Sequence, residues 1–232
     1  VQQRLSISLA ERQVAAVTTA VRDKVMVITG GPGTGKTTIV KAVVDIFQAL
    51  GARPLLAAPT GRAAKKLKEA TGYEARTIHL LLEFSPAKGG FQRHDGRALA
   101  CDLLVIDEAS MLDTVLMYHL LKAVPPGATF ILVGDVNQLP SVGAGNVLND
   151  IIASGVVPVV ALNEIFRQAR KSRIVVNAHR INSGEMPLLD NEAPESDFFF
   201  IEQAEPEAAV ETITDLVAER IPRKFGFDSL DE

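Results

Sequence analysis

Gly30-Gly31-Pro32-Gly33-Thr34-Gly35-Lys36-Thr37-Thr38 follows directly on the apolar run Val25-Met26-Val27-Ile28-Thr29. The order is strand, glycine-rich loop, helix mouth, and the loop matches the phosphate-binding pattern in which Gly30 and Gly35 bracket four residues ahead of Lys36 and Thr37. Glycine lets the backbone close around a phosphate, so that amide N–H groups and the helix N-terminus face the negative charge. Gly31, Pro32, Gly33, Thr34, Gly35, Lys36, Thr37 and Thr38 are therefore the expected nucleotide contacts. Lys36 is expected to reach the β and γ phosphates and the Thr37 hydroxyl to bind magnesium, with Thr38 as a helix or phosphate hydrogen-bonding residue.

A second segment completes the chemistry. Leu103-Leu104-Val105-Ile106-Asp107-Glu108 is an apolar strand ending in two adjacent carboxylates. Asp107 is expected to hold magnesium through its water shell, and Glu108 to orient and polarise an attacking water. That pairing favours hydrolysis of ATP, with Mg2+ as cofactor, over phosphoryl transfer to another acceptor.

Around these segments, short apolar runs rich in Val, Ile and Leu alternate with amphipathic stretches, the pattern of buried parallel strands joined by helices. Strands are expected at residues 25–29, 54–58, 103–107, 129–133 and 157–161, in one parallel sheet. Ser8 and Glu11 read as a capping box opening a helix over residues 8–24. Further helices are expected after Gly35, Gly61, Met111, Gly143 and Gln168. Between Phe84 and Cys101 the rhythm breaks at Pro86, Gly89, Gly90 and the Asp95-Gly96 turn signal, which predicts a small β-hairpin inserted at about residues 86–100. After Gly184 the chain turns acidic and proline-bearing, with a strand expected at 198–202 and a helix from Pro206 to just before Pro222. The organisation read is a sheet domain over residues 1–184 and a strand-helix extension over 185–232.

Bulk properties bound the rest. At 232 residues and 47% hydrophobic, the chain can bury one substantial core. Cys101 is the single cysteine, so no intramolecular disulfide is possible, and the apolar runs are too short to span a bilayer. A cytoplasmic setting with no membrane partner is expected. The net charge of −4 neither supports nor excludes nucleic-acid binding, because a local basic stripe matters more than the total. No Cys/His spacing points to zinc. Val1 in place of an initiator methionine implies a segment of a longer polypeptide.

Ile131-Leu132-Val133-Gly134-Asp135-Val136-Asn137-Gln138-Leu139-Pro140 is another strand ending in a polar loop. Together with Pro59-Thr60-Gly61-Arg62-Ala63-Ala64, Asp107-Glu108-Ala109-Ser110-Met111 and Asn163-Glu164-Ile165-Phe166-Arg167-Gln168, in that order, it makes the chain resemble RecD-like superfamily 1 DNA helicases from Leu9 to about Gly184. The resemblance implies an α/β RecA-like P-loop NTPase fold, a mostly parallel sheet with helices on both faces. It implies that Gln138 senses the γ phosphate, that Gln13 contacts adenine, and that Arg167 touches the γ phosphate. An arginine there would stabilise the charge that develops on the transferring phosphoryl group.

The DNA-facing residues follow the same way. Residues 59–62 follow a strand and open a helix, which places backbone amides and the Thr60 hydroxyl for a phosphate of single-stranded DNA. Arg62, Lys65 and Lys66 form a basic helix face, while Ala63, Ala64 and Leu67 turn toward the sheet. Thr77-Ile78-His79 resembles another DNA-contacting motif of the family. Pro59, Thr60, Arg62, Thr77 and His79 are thus the expected DNA contacts. The inserted hairpin, with Arg93, His94 and Arg97 near its tip, lies where these helicases carry a strand-separating pin.

Translocation in that family needs two RecA-like domains. Neither of the second domain's expected motifs follows Arg167, and the chain ends at Phe227-Asp228-Ser229-Leu230-Asp231-Glu232, which reads as the approach to that domain's first strand. The expectation is a first motor domain alone, part of a 5′ to 3′ enzyme acting on single-stranded DNA and duplex junctions in a recombination or repair complex, and unable to unwind by itself. The helicase portion of a conjugative relaxase shares these motifs. A nucleotide-dependent binding module and a P-loop kinase are the readings from other classes. Asp107 with Glu108 argues against the first, and Glu108 with the loop from Gly134 to Pro140 against the second.

Overall fold

The computed structural model describes residues 9–164, 171–189 and 196–226. Ser8, the segment 165–170 that carries Arg167, and residues 227–232 lie outside the described residues. Two compact units, Val1–Met186 and Pro187–Glu232, are described separately.

The first unit is built in the order α1 (Glu11–Arg22), β1 (Val25–Gly30), α2 (Lys36–Ala49), β2 (Pro54–Ala58), α3 (Gly61–Thr71), β3 (Ala75–Thr77) and α4 (Ile78–Leu81). It continues with β4 (Leu103–Ile106), α5 (Thr114–Ala123), β5 (Thr129–Gly134), α6 (Val147–Ala153), β6 (Val159–Leu162) and α7 (Arg173–Asn182). The strands form one six-stranded sheet in the order β3-β2-β4-β5-β1-β6, and every pairing is parallel. All strands therefore end at the same edge, and the loops that follow them gather there.

Alternation along the strands divides the core. Val27, Leu104, Ile106, Phe130 and Leu132 face one side, against Ile78 and Leu81 of α4, Leu116, Met117 and Leu120 of α5 and Leu148 of α6. Met26, Ile28, Leu103, Val105, Ile131 and Val133 face the other, against Ala16 and Ala20 of α1, Ile39, Val40, Val43 and Val44 of α2 and Leu67 of α3. A sheet covered on both faces needs apolar residues at every strand position, which is why the strands read as continuous runs. Each such aliphatic side chain contributes about 1.5–3 kcal/mol of burial. The Cys101 thiol is buried, which pushes its pKa up to about 11.

The structure departs from expectation at several points. Helix α1 starts at Glu11 with Ala10 as its cap, and the Gln13 side-chain oxygen, not Glu11, accepts from the Ala10 N–H at 3.2 Å. Strand β3 and helix α4 were not anticipated, being too short to show a period. The inserted segment is a minimal hairpin: a 3₁₀ turn at Pro86–Lys88 and two isolated antiparallel bridges, Ser85 with Gly90 and His94 with Arg97 across the Asp95-Gly96 turn. Its backbone is committed elsewhere. The Gln92 and Arg93 amides both donate to the Leu82 carbonyl, and Leu99 donates to the Ala123 carbonyl, so no longer ladder forms.

In the second unit, residues 198–202 form no strand, and Phe199, Phe200 and Ile201 are exposed. The helix does not stop before Pro222 either. It runs through α8 (Pro206–Asp215), a π-turn at Leu216–Arg220 and α9 (Ile221–Phe225). Pro222 follows directly on the π-turn, where the regular hydrogen-bond ladder of an α-helix is already interrupted.

Candidate active site

The loop between β1 and α2 turns twice through the left-handed region, at Gly33 (φ 74°) and Gly35 (φ 82°), where a side chain would be strained. Gly35 is the N-cap of α2 and offers no side chain, so the first N–H groups of that fourteen-residue helix remain for a ligand. Lys36 folds back over its own loop, with Nζ donating to the carbonyl oxygens of Gly30 at 2.6 Å and Gly31 at 3.1 Å. Thr34 is buried and its hydroxyl donates to the Gly31 carbonyl at 2.8 Å. Thr37 is half-buried, whereas Pro32, Gly33 and Thr38 are exposed.

Gln13 reaches this loop from α1. It is only 3% exposed, and its Nε2 donates to the Thr34 carbonyl at 3.4 Å while its Oε1 caps α1. Its amide thus joins helix and loop, with one N–H and one lone pair left over.

Two strands away, Asp107 continues the β4 ladder by donating its N–H to the Ala57 carbonyl, and its Oδ1 accepts from the Glu108 N–H at 3.0 Å. Burial raises the Asp107 pKa. The Glu108 N–H lowers it, the Glu108 charge raises it further, and Lys36 and Lys66 lower it. Glu108 sits at φ 53°, a left-handed conformation that is unfavourable for a side chain with Cβ, ahead of the 3₁₀ turn Ala109–Met111. Its Oε2 is buried without a hydrogen-bond partner, as is the Ser110 hydroxyl. A buried polar atom left unpaired costs on the order of 1–3 kcal/mol, so these two atoms mark a place where a further donor or water belongs.

The loop after β5 is shaped by Asp135, which is 3% exposed. Its Oδ1 accepts from the Asn137 N–H at 3.0 Å and its carbonyl accepts from the Gln138 N–H, a turn that leaves Gln138 exposed at the sheet edge. Gln138, Gly30, Gly31, Pro32, Asn163 and His179 help line a cavity of about 620 Å³, within the usual range for a small-molecule site. The structure thus brings Gln138 to the phosphate loop. Arg167 lies outside the described residues.

Thr60 and Thr77, expected at the DNA face, both cap helices. The Thr60 hydroxyl accepts from the Ala63 N–H at 3.2 Å and the Thr77 hydroxyl from the Leu80 N–H at 3.2 Å, and each keeps its proton to donate to a phosphate. Pro59 is half-buried and Arg62 exposed. Lys65 and Lys66 are exposed while Ala64 and Leu67 are buried, as the helical spacing predicts. His79 is exposed, with ring centroids 5.6 Å from Phe84 and 5.5 Å from Phe91. Two arginines of the inserted segment are already paired, Glu83 taking Arg93 at 2.6 Å and Arg97 at 2.9 Å, and the segment's Asp95 is held by Lys122 of α5 at 2.8 Å. The hydrogen bond from Arg93 holds the Glu83 carboxyl below the usual carboxylate range, and Arg97 adds to this.

Asp135 stood in the quoted segment 131–140 with no role of its own, and His179 was not singled out at all. Asp135 was legible as the acidic residue two positions before an amide that a turn must satisfy. His179 had no local signal, because the residue it contacts, Pro32, is 147 positions away.

A glycine-rich loop at a helix mouth, a strand-end carboxylate pair two strands away and a parallel sheet between them define a P-loop nucleotide-binding domain of the RecA-like type. The chain belongs to the AAA domain family, whose model matches residues 13–144. Among curated proteins it is similar to a RecD2 DNA helicase and to RecD subunits of the RecBCD enzyme. It is 44% identical over 179 residues to the ATP-dependent RecD2 DNA helicase of Deinococcus radiodurans, a match covering 77% of this chain and 24% of that protein. It is 40% identical over 166 residues to the RecBCD enzyme subunit RecD of Mycolicibacterium smegmatis, covering 61% of this chain and 30% of that one. The chain therefore spans under a third of the length of either relative. Among solved structures, the Pif1 helicase from Candida albicans shares the fold with a TM-score of 0.58 and 22% identity, over 78% of this chain and 45% of that one. No helix among the described residues is long and apolar enough to cross a membrane.

Proposed function

We propose that this chain binds and hydrolyses ATP as the first motor domain of a DNA helicase. The observation that carries this reading is the juxtaposition at one sheet edge of the Lys36 loop after β1, Asp107 and Glu108 after β4, and Gln138 after β5, three neighbouring strands in the order β4-β5-β1. Lys36 has a ready course: its ammonium leaves the Gly30 and Gly31 carbonyls for the phosphates, an exchange of neutral acceptors for charged ones. Glu108 accepts the proton of the attacking water, which supplies the partner that its buried oxygen lacks. Gln138 reports the γ phosphate to the DNA face, Gln13 stands at the adenine end, and Arg167 stabilises the charge developing on the γ phosphoryl group.

Magnesium fits the donor set. A hydroxyl from Thr37 and a carboxylate from Asp107 are hard oxygen ligands, and this ion completes its shell with water and phosphate oxygens instead of a protein cage. When bound, it neutralises charge on the β and γ phosphates.

Single-stranded DNA would lie along the ends of β2 and β3, with phosphates at residues 59–62 and at Thr77 and His79. The parent enzyme would then carry a second RecA-like domain, move 5′ to 3′ and serve recombination or repair. Similarity to the ATP-dependent RecD2 DNA helicase and to the RecD subunit of the RecBCD enzyme supports this. The test is ATP turnover by this chain with and without single-stranded DNA, and by a Lys36→Ala variant. Turnover that survives in Lys36→Ala would refute the reading.

A further inference from the structure

The phosphate-loop pattern requires glycine at positions 30 and 35 and leaves position 31 open. Glycine nevertheless stands there, and its φ is not among the left-handed ones. The reason is a side chain from α7. A Cβ on Gly31 would lie 2.8 Å from Cε1, 3.2 Å from Nε2 and 3.6 Å from Nδ1 of His179, so its three nearest neighbours all belong to one imidazole. The same ring places Nε2 3.2 Å from the Pro32 carbonyl oxygen. A carbonyl only accepts, so Nε2 carries the proton and donates.

We infer that His179 is a positioning residue for the phosphate loop, an inference that rests on the ATP reading above. The Gly31–Pro32 turn is held from two directions. Thr34 and Lys36 hold the Gly31 carbonyl from inside the loop, while His179 covers the Gly31 Cα and holds the Pro32 carbonyl from outside. When Lys36 turns to the phosphates, the inner hold loses one of its members and the outer one remains. His179 thus keeps the loop in its binding shape during that exchange, and it ties α7, the helix following the Arg167 segment, to nucleotide occupancy. Its contribution is to nucleotide affinity and not to bond cleavage.

The experiment is a double-mutant cycle on the whole 232-residue chain, read by binding of ATP with magnesium and by the split between KM and kcat, with thermal unfolding as a check on folding. His179→Ala is expected to weaken ATP binding about tenfold with kcat changed less than twofold. His179→Gln, whose amide can donate from nearly the position of Nε2, is expected to restore most of the affinity. Gly31→Ala should weaken binding as much or more, because its Cβ drives the ring away. The decisive arm is the pair: Gly31→Ala with His179→Ala should bind no worse than His179→Ala alone, because the clash is gone. Additive losses, or ATP affinity unmoved in a folded His179→Ala, overturn the role of His179 while leaving the ATP reading intact. Failure of the unaltered chain to bind ATP overturns the reading itself and the inference with it.

Discussion

The Lys36 ammonium and the Gly30 carbonyl oxygen lie 2.6 Å apart, so the cation of the phosphate loop is held by the loop's own backbone. Lys36→Ala removes both the hold and the ligand for phosphate. Affinity for ATP is expected to fall more than about tenfold, and isothermal titration should show little heat of binding.

Glu108→Gln keeps the shape and the left-handed turn but removes the base. Retained ATP affinity, within about threefold, with turnover reduced by roughly 10²–10⁴-fold is expected. Single-turnover hydrolysis checks it, and a normal rate would remove Glu108 from the chemistry.

Asp107 links the site to pH. Its pKa is raised above the ordinary 3.8, first by burial. A carboxyl raised on folding adds stability below its unfolded pKa and loses that contribution as pH rises through the folded value. At neutral pH the charged Asp107 is therefore a net cost to the nucleotide-free chain. Asp107→Asn should raise the melting temperature at pH 7, with the gain vanishing below about pH 3.8. Magnesium-dependent ATP binding by the unaltered chain should weaken on acidification earlier than an ordinary aspartate would dictate.

Thr60 separates folding from DNA contact. Its hydroxyl caps α3, so Thr60→Ala should cost about 1 kcal/mol of stability, while Thr60→Ser preserves the cap. Arg62→Ala leaves the cap alone. Fluorescence anisotropy with a single-stranded oligonucleotide should show weaker binding and a shallower salt dependence for Arg62→Ala. Unchanged binding would move DNA away from this loop.

The inserted segment depends on Glu83. Its carboxyl pKa is lowered, first by the Arg93 hydrogen bond, so the anchoring is present above the usual carboxylate range and is lost as pH falls through the depressed value. Glu83→Gln should increase protease cleavage within residues 89–97 while ATP turnover stays unchanged. In the full-length parent, deletion of residues 91–97 should abolish unwinding and spare DNA-stimulated ATPase; intact unwinding would dispose of the pin.

Much of the fold was legible because buried parallel strands are continuous apolar runs, and β1, β2, β4 and β5 were found within a residue of their ends. β3 and α4 were not, since three or four residues carry no period. The strand expected at 198–202 rested on apolar content alone, and apolar content makes a strand only where a neighbour supplies its hydrogen bonds. Likewise, the basic tip around Arg93 and Arg97 looked free for DNA in sequence, but Glu83 is folded against it.

The order of residues by itself determined the phosphate loop, the strand-end carboxylates and the alternating burial that divides the core, because each depends on neighbours within a few positions. Tertiary structure alone decided why Gly31 is glycine, which oxygen of Glu108 lacks a partner, that Gln13 and Thr34 are joined, and that His179 belongs to the site. Those contacts cross from one element to another, and no local spacing encodes the approach of an imidazole to a loop 147 residues away.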